Sequence, residues 1–336
     1  MTNREWFKQA KFGLMVHFGL YSMLGGEWNG RRMPHIGEWA QSYFRIPNAT
    51  YGRLASAFNP ILFDADEWVQ LAQDAGMQYM VVTSKHHEGF AMFRSKWDRY
   101  NIVDGSPFGR DLIGELAEAC YKRGMKLGLY YSQALDWHEP DGGGYTSTTP
   151  NCGEMSWTND WDFPDNAHKD YTRCFAGKIK TQVKEILTQY GDLCLIWFDT
   201  PISISEAQSR ELYDMVKHYQ PNALINSRIG NGIGDYHSCG DNQTNFEIDK
   251  SDSNARCGNV GTVTGLYECP ATLNHTWGYK AYDQDWKSAD CVLSLKDRLN
   301  ARGINYLLNV GPDALGRFPA PTQEVLREAG RRLADS

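Results

Sequence analysis

Short runs rich in apolar and β-branched residues alternate along this chain with longer stretches in which apolar residues return every three or four positions. That alternation restricts the fold more than any other feature. The runs Gly13 to Tyr21, Tyr79 to Ser84, Lys126 to Ser132, Leu193 to Phe198, Leu224 to Ser227 and Ile304 to Asn309 predict strands. The stretches Asp66 to Ala75, Leu112 to Arg123, Ala167 to Gln189, Glu206 to Tyr219 and Ala289 to Arg302 predict helices, and Thr322 to Leu333 is helix-like. Strand, helix, strand, repeated, gives a parallel sheet, and strands that are nearly continuous apolar runs must be covered on both faces. A closed barrel and a doubly wound sheet both meet that demand. No glycine-rich phosphate loop follows the first strand, which weighs against the nucleotide-binding version. With 336 residues, 41% of them apolar, the chain has material for one barrel-sized domain and not for two with a linker.

Two stretches break the alternation, Glu139 to Asn166 and Gly230 to Gly265, both rich in Gly, Asp and other turn-forming residues. Loops of that length in a compact domain are functional or disordered, and in a barrel those at the strand C-terminal ends surround the active site. We expect them to be functional. The balance of 34 basic against 41 acidic residues gives a net charge of −7 with no dense basic block, so nucleic acid is not an expected partner. The first residues mix both charge signs and lack the apolar stretch of a secretory signal. No segment approaches the ~20 apolar residues of a membrane helix. These features predict a soluble, cytoplasmic protein without membrane contact. The eight cysteines show neither a CxxC pair nor metal-finger spacing and are expected to be free thiols.

Polar groups stand where strands end. Leu193-Cys194-Leu195-Ile196-Trp197-Phe198 is an apolar run finishing in Asp199, the position from which a barrel presents a catalytic carboxylate. Asp199 also precedes Thr200-Pro201, so a helix N-cap is an equal reading. The same pattern puts His17 after the first run, Lys85-His86-His87-Glu88 after the second, Ser132 after Tyr130-Tyr131 and Arg228 after Asn226-Ser227. His17, His86, His87 and Asp199 are chemically fit to bind zinc, which would make a metal-dependent hydrolase. The same strand ends would also gather Trp39, Trp197 and Trp277, and flat aromatic faces with His, Arg and Tyr donors are what a sugar ring needs. Sugar is the better ligand, bound either by a hydrolase or by a non-catalytic carbohydrate-binding barrel. A retaining glycosidase needs a second carboxyl about 5 to 5.5 Å from the first. Asp235, Asp241, Glu247 and Glu268 all remain candidates on the residues alone.

The segments Phe12-Gly13-Leu14-Met15-Val16-His17-Phe18-Gly19, Gly37-Glu38-Trp39, Lys85-His86-His87-Glu88-Gly89-Phe90, Gly128-Leu129-Tyr130-Tyr131-Ser132, Trp197-Phe198-Asp199, Asn226-Ser227-Arg228 and Trp277-Gly278-Tyr279 resemble, in order and over nearly the whole chain, glycoside hydrolase family 29, the retaining α-L-fucosidases. The resemblance implies a (β/α)8-like TIM barrel occupying 1–336, with no cofactor and no metal. It implies Asp199 as the nucleophile of a covalent fucosyl-enzyme, with His17, Glu38, Trp39, His86, His87, Tyr131, Trp197 and Arg228 around the fucose and Trp277 against its methyl group. Many relatives carry a glutamate at the position of Gly240, so the acid/base is transferred to the neighbouring Asp241 in the Gly240-Asp241-Asn242 run, with Glu268 as the alternative. The similarity is to short bacterial intracellular members that prefer α-1,6-linked fucose. Longer relatives cover part of the barrel with a C-terminal β-sandwich. This chain has no segment left for one, so a homo-oligomer is expected, acting on fucosylated oligosaccharides.

Overall fold

The structure, a computed structural model, describes residues 2–144, 155–244 and 265–335. Glu247, Cys152 and Cys257 lie outside the described residues, as do parts of both long loops.

Eight parallel strands make the barrel. In chain order they are β1 (Phe12–Val16), then, after a two-stranded hairpin of β2 (Glu27–Trp28) and β3 (Arg31–Arg32), β4 (Tyr79–Lys85), β5 (Lys126–Ser132), β6 (Leu195–Asp199), β7 (Leu224–Ile225), β8 (His237–Ser238), β9 (Tyr267–Thr272) and β10 (Ile304–Val310). The sheet runs β7-β6-β5-β4-β1-β10-β9-β8. Its two ends meet through a parallel bridge between Asn226 and Tyr236, beside hydrogen bonds from the Asp235 and Tyr236 amides to the Ile225 carbonyl. The chain is therefore an α/β barrel with helices outside, one of the two architectures that the alternation allows and the one that the resemblance implies.

Every residue of β1, β4, β6 and β10 is buried. One face of these strands packs against helices in a large apolar layer that includes Leu14, Val82, Leu129 and Leu308. The other face fills the barrel with Met15, Tyr79, Val81, Tyr130, Trp197, Tyr236 and Leu307, plugged at the N-terminal end by Trp6 and Phe7 of the helix Asn3–Ala10. The helices begin where side chains satisfy their first amides: Asp64, Asp111, Ser205 and Ser288 each accept a bond from the third residue beyond.

Several expectations change: the strand expected over Gly13 to Tyr21 spans Phe12–Val16, and the one over Leu224 to Ser227 spans Leu224–Ile225. The helix expected over Ala167 to Gln189 begins at Tyr171 and contains one wide turn, Phe175–Ile179, before continuing as Lys180–Gln189. The stretch expected as a loop from Gly230 holds the short barrel strand β8. Among the described residues no helix is long and apolar enough to cross a membrane, and Cys120, Cys174, Cys194, Cys239, Cys269 and Cys291 are free thiols.

Candidate active site

The ends of β1, β4, β6 and the segments after β7 and β8 open into one pocket. It is lined by His17, Glu38, Trp39, His86, His87, Trp197, Asp199, Arg228, Asp241 and Trp277, with Met15, Ile36, Tyr130, Trp157 and Thr200. Sequence reasoning missed those last five.

Asp199 is the last residue of β6 and does not cap a helix. The next helix starts at Glu206 with its own cap, Ser205. The Asp199 backbone amide donates to Gln133 Oε1 at 2.8 Å. Its Oδ2 accepts the Tyr130 hydroxyl at 2.8 Å and its Oδ1 accepts Arg228 Nη1 at 3.1 Å. The chain leaves Asp199 through Thr200, whose φ of 53° is rare for a β-branched residue and marks a forced turn beneath the carboxylate.

Arg228 reaches the second carboxyl as well: Nη2 donates to Asp241 Oδ1 at 2.5 Å and to the Cys239 carbonyl at 3.1 Å. One guanidinium thus ties together two carboxyl groups, one at the end of β6 and one in the segment after β8. Asp241 is set by its neighbour: Asn242, at φ 59°, accepts with Oδ1 from the Thr272 amide at the end of β9. Enclosure at the pocket mouth holds Asp241 above the ordinary carboxylate range, opposed by Arg228 and assisted by repulsion from Asp199. With 41% of the side chain exposed, solvent screening keeps that rise modest.

The histidines are neutral and their ring nitrogens are assigned by their partners. Asn309 donates from Nδ2 to the Trp277 carbonyl, which turns its Oδ1 toward His17 Nδ1 at 2.7 Å. His17 therefore carries its proton on Nδ1 and offers Nε2 as an acceptor. Ser132 spends its hydroxyl proton on the Leu135 carbonyl and so must accept from His87 Nδ1, 2.8 Å away, leaving His87 Nε2 as an acceptor 3.9 Å from Asp199 Oδ2. His86 has a buried Nδ1 without a partner among the described residues. A buried orphan donor is rarer than an orphan acceptor, so its proton belongs on Nε2, as a donor. Burial pushes His17 down to about 4 and holds His86 and His87 well below the usual imidazole range, with Lys85 opposing protonation of His87 as well.

The walls are aromatic. Trp39 packs edge-on against His87, Trp137 and Trp157. Trp277 lies 5.3 Å from His17. Glu38, on the single turn Gly37–Trp39, is buried and accepts the Gly278 amide at 2.7 Å, which locks Trp39 and Trp277 together; burial pushes its carboxyl up to about 7.

Two placements differ from expectation. Tyr131 does not enter the pocket: its hydroxyl donates to Gln182 on the helix outside the barrel, and Tyr130 occupies the site instead. Pairing explains the shift, because Tyr130 and Ser132 register with the inward residues Trp197 and Asp199, whereas Tyr131 registers with the outward Phe198. Glu268 is not among the residues lining the pocket. It is fully buried in the barrel, where it accepts bonds from Tyr79 and Trp197. Of the other candidates, Asp235 is a structural carboxylate held by Lys217 and the Ile225 amide.

Among the described residues, the His, Cys, Asp and Glu donor atoms that converge within 4.8 Å belong to Asp98, His138 and Glu139, not to His17, His86, His87 and Asp199. There Lys178 Nζ already lies 3.4 Å from Glu139 Oε1.

Comparison with known proteins shows the family. A family model described as Alpha-L-fucosidase matches residues 1–335. The α-L-fucosidase AlfC from Lactobacillus casei, solved without ligand, is 52% identical, with a TM-score of 0.92 over 99% of this chain and 98% of that one. A variant of AlfC has been solved with Fuca(1,6)GlcNAc, at 52% identity and a TM-score of 0.89 over 98% of each chain. The α-L-fucosidase of Dictyostelium discoideum is 29% identical over 98% of this chain and 69% of its own length.

Proposed function

From its membership of the α-L-fucosidase family, glycoside hydrolase family 29, we propose that this chain hydrolyses terminal α-L-fucose with retention of configuration, Asp199 acting as nucleophile and Asp241 as acid/base. The observation that carries the reading is the Arg228 guanidinium bonded to both carboxylates. Bridging by a single guanidinium suits the short separation, about 5 to 5.5 Å, that double displacement requires. Glycosidic cleavage then proceeds in two steps. Asp241 donates its proton to the leaving oxygen as Asp199 forms a bond to the anomeric carbon. Asp241 next takes a proton from water, and that water displaces Asp199. The bond from Tyr130 and the one from Arg228 hold the Asp199 carboxyl aimed.

Recognition follows from the donor pattern. His17 and His87 accept from sugar hydroxyls through Nε2, His86 donates through Nε2, and Trp277 with Met15 supplies the apolar wall that a 6-deoxy methyl group wants. The AlfC variant complex named for Fuca(1,6)GlcNAc supports a preference for α-1,6-linked fucose in this chain too. The test is turnover of 4-nitrophenyl α-L-fucoside and of fucosyl-N-acetylglucosamine disaccharides of different linkage, with the product anomer followed by NMR. First-formed α-L-fucose, and fastest release from the α-1,6 disaccharide, support the proposal. First-formed β-L-fucose contradicts retention. Binding without turnover points to a carbohydrate-binding barrel.

A further inference from the structure

We propose that Glu268 is a positioning residue: it fixes the Trp197 ring from beneath, and that ring is the shelf on which Arg228 and Tyr130 are set against the two carboxylates. The inference rests on the assignment of Asp199 and Asp241 above.

Glu268 projects from β9 into the barrel with no exposed surface. Both of its oxygens are engaged. Oε1 accepts Trp197 Nε1 at 2.8 Å and Oε2 accepts the Tyr79 hydroxyl at 2.6 Å. Tyr79 fits only because β1 has Gly13 beside it; a Cβ there would stand 2.4 Å from the tyrosine ring. Trp6 and Phe7 close the layer at ring distances of 5.6 and 6.3 Å from Tyr79. Water-borne acid/base chemistry has no route to a carboxyl so enclosed, and a buried indole N–H needs an acceptor, which Glu268 provides.

The upper side of the indole is where the site begins. Tyr130 stacks on Trp197 at 5.5 Å and 17°, and Arg228 Cζ lies 4.6 Å over the ring. Tyr130 then bonds Asp199, and Arg228 bonds Asp199 and Asp241. Arg228 Nε has no hydrogen-bond partner among the described residues, so the indole face is what supports that side of the guanidinium. A tilt of Trp197 would move both groups that hold the reacting carboxylates. Burial pushes Glu268 up to about 7, and its bonds to Tyr79 and Trp197 oppose that shift. Because both partners donate to it, the carboxyl serves as an acceptor platform.

The experiment is a double-mutant cycle of Glu268→Gln and Trp197→Phe with Asp241→Gly in parallel, assayed on 4-nitrophenyl α-L-fucoside and on an α-1,6 disaccharide, with and without azide. A positioning role predicts that Glu268→Gln lowers kcat by a similar factor, about 10- to 100-fold, on both substrates. It predicts no azide rescue, and little further loss when Trp197→Phe is added. Trp197→Phe alone, which keeps the carboxyl, should give the same kinetic signature and guards against misfolding of the first variant. Independent, multiplying losses would overturn the route through Trp197. A much greater loss on the disaccharide than on the nitrophenyl fucoside, with azide restoring turnover of Glu268→Gln, would make Glu268 the acid/base and overturn the proposal. The Asp241→Gly arm reports on the underlying assignment: if neither variant is rescued, Asp241 loses its role while the cycle still decides Glu268.

Discussion

Tyr130 and Tyr131 are adjacent, chemically identical and opposite in consequence. Tyr130 donates to Asp199 from inside the barrel and Tyr131 donates to Gln182 outside it. Tyr130→Phe is expected to lower kcat about 10- to 100-fold, the loss of a bond worth roughly 1.5–3 kcal/mol to a charged acceptor. Tyr131→Phe should leave kcat and KM within about twofold; steady-state kinetics on both variants decides the inward register. The family resemblance pointed to Tyr131 where the pocket holds Tyr130, and since strand parity flips with a single residue, only the pairing with the neighbouring strand separates the two. The same residue-scale limit hid Thr200, whose positive φ is a backbone property. The carboxylate at the end of β6, the paired histidines and Arg228 were legible because each follows an apolar run, and in a barrel the residue that ends such a run faces the active-site mouth. Asp241 could not be chosen from composition. Its selection came from resemblance, and its geometry depends on Arg228 and Asn242, which no spacing rule predicts.

Elements long enough to show their period were readable. Leu112–Arg123, Glu206–Tyr219 and Lys126–Ser132 have the expected bounds. Of the two-residue strands, β7 lies inside the expected run Leu224 to Ser227, whereas β8 was not readable, since it carries no full alternation. Beyond β7, Asn226 takes over the ladder with its side chain, accepting the Phe198 amide and donating to the Phe198 carbonyl, so an expected strand continues as a polar substitute. Helix contacts outside the barrel carry stability apart from chemistry. Gly330 in the helix Ala320–Ala334 crosses the end of Ala65–Asp74 so closely that a Cβ would stand 1.7 Å from the Asp74 carbonyl oxygen. Gly330→Ala is therefore expected to cost about 1–3 kcal/mol by overpacking. Thermal unfolding should show a lower Tm, while KM stays unchanged. An unaltered Tm would refute the close crossing.

At the scale of the whole molecule, buried acids set how stability varies with pH. Glu38, Glu88 and Glu268 are each pushed up to about 7 by burial. In the unfolded chain they ionise near the ordinary 4.5. Between those values the folded protein holds protons that the unfolded chain has released, so these groups make stability fall as pH rises. His17, pushed down to about 4, works the other way and penalises folding as pH drops below its ordinary 6.5. Glu88 accepts from the Leu20 amide and from Tyr51, bonds a glutamine oxygen can keep in part. Glu88→Gln should flatten the decline between about pH 5 and pH 7 by on the order of 1–3 kcal/mol, read from denaturant midpoints. An unchanged slope would contradict a protonated Glu88.

We propose that the chain self-associates, a property of this scale too. Ile61, Leu62 and Leu315 are exposed, and the Leu62 amide bonds the Leu315 carbonyl, so the three form one apolar patch. Light scattering at micromolar concentration is expected to give a multiple of the 38.2 kDa chain mass. A monomeric mass would refute it.

The central claim is the division of labour between Asp199 and Asp241, and the most direct measurement is azide rescue of Asp199→Gly and Asp241→Gly with the product anomer identified by NMR. Azide replacing the nucleophile attacks the α-fucoside itself and yields β-L-fucosyl azide from the Asp199 variant. Azide replacing activated water attacks the fucosyl-enzyme and yields α-L-fucosyl azide from the Asp241 variant. Those two anomers, one from each variant, are the predicted result. The reverse assignment, or the same anomer from both, would contradict it.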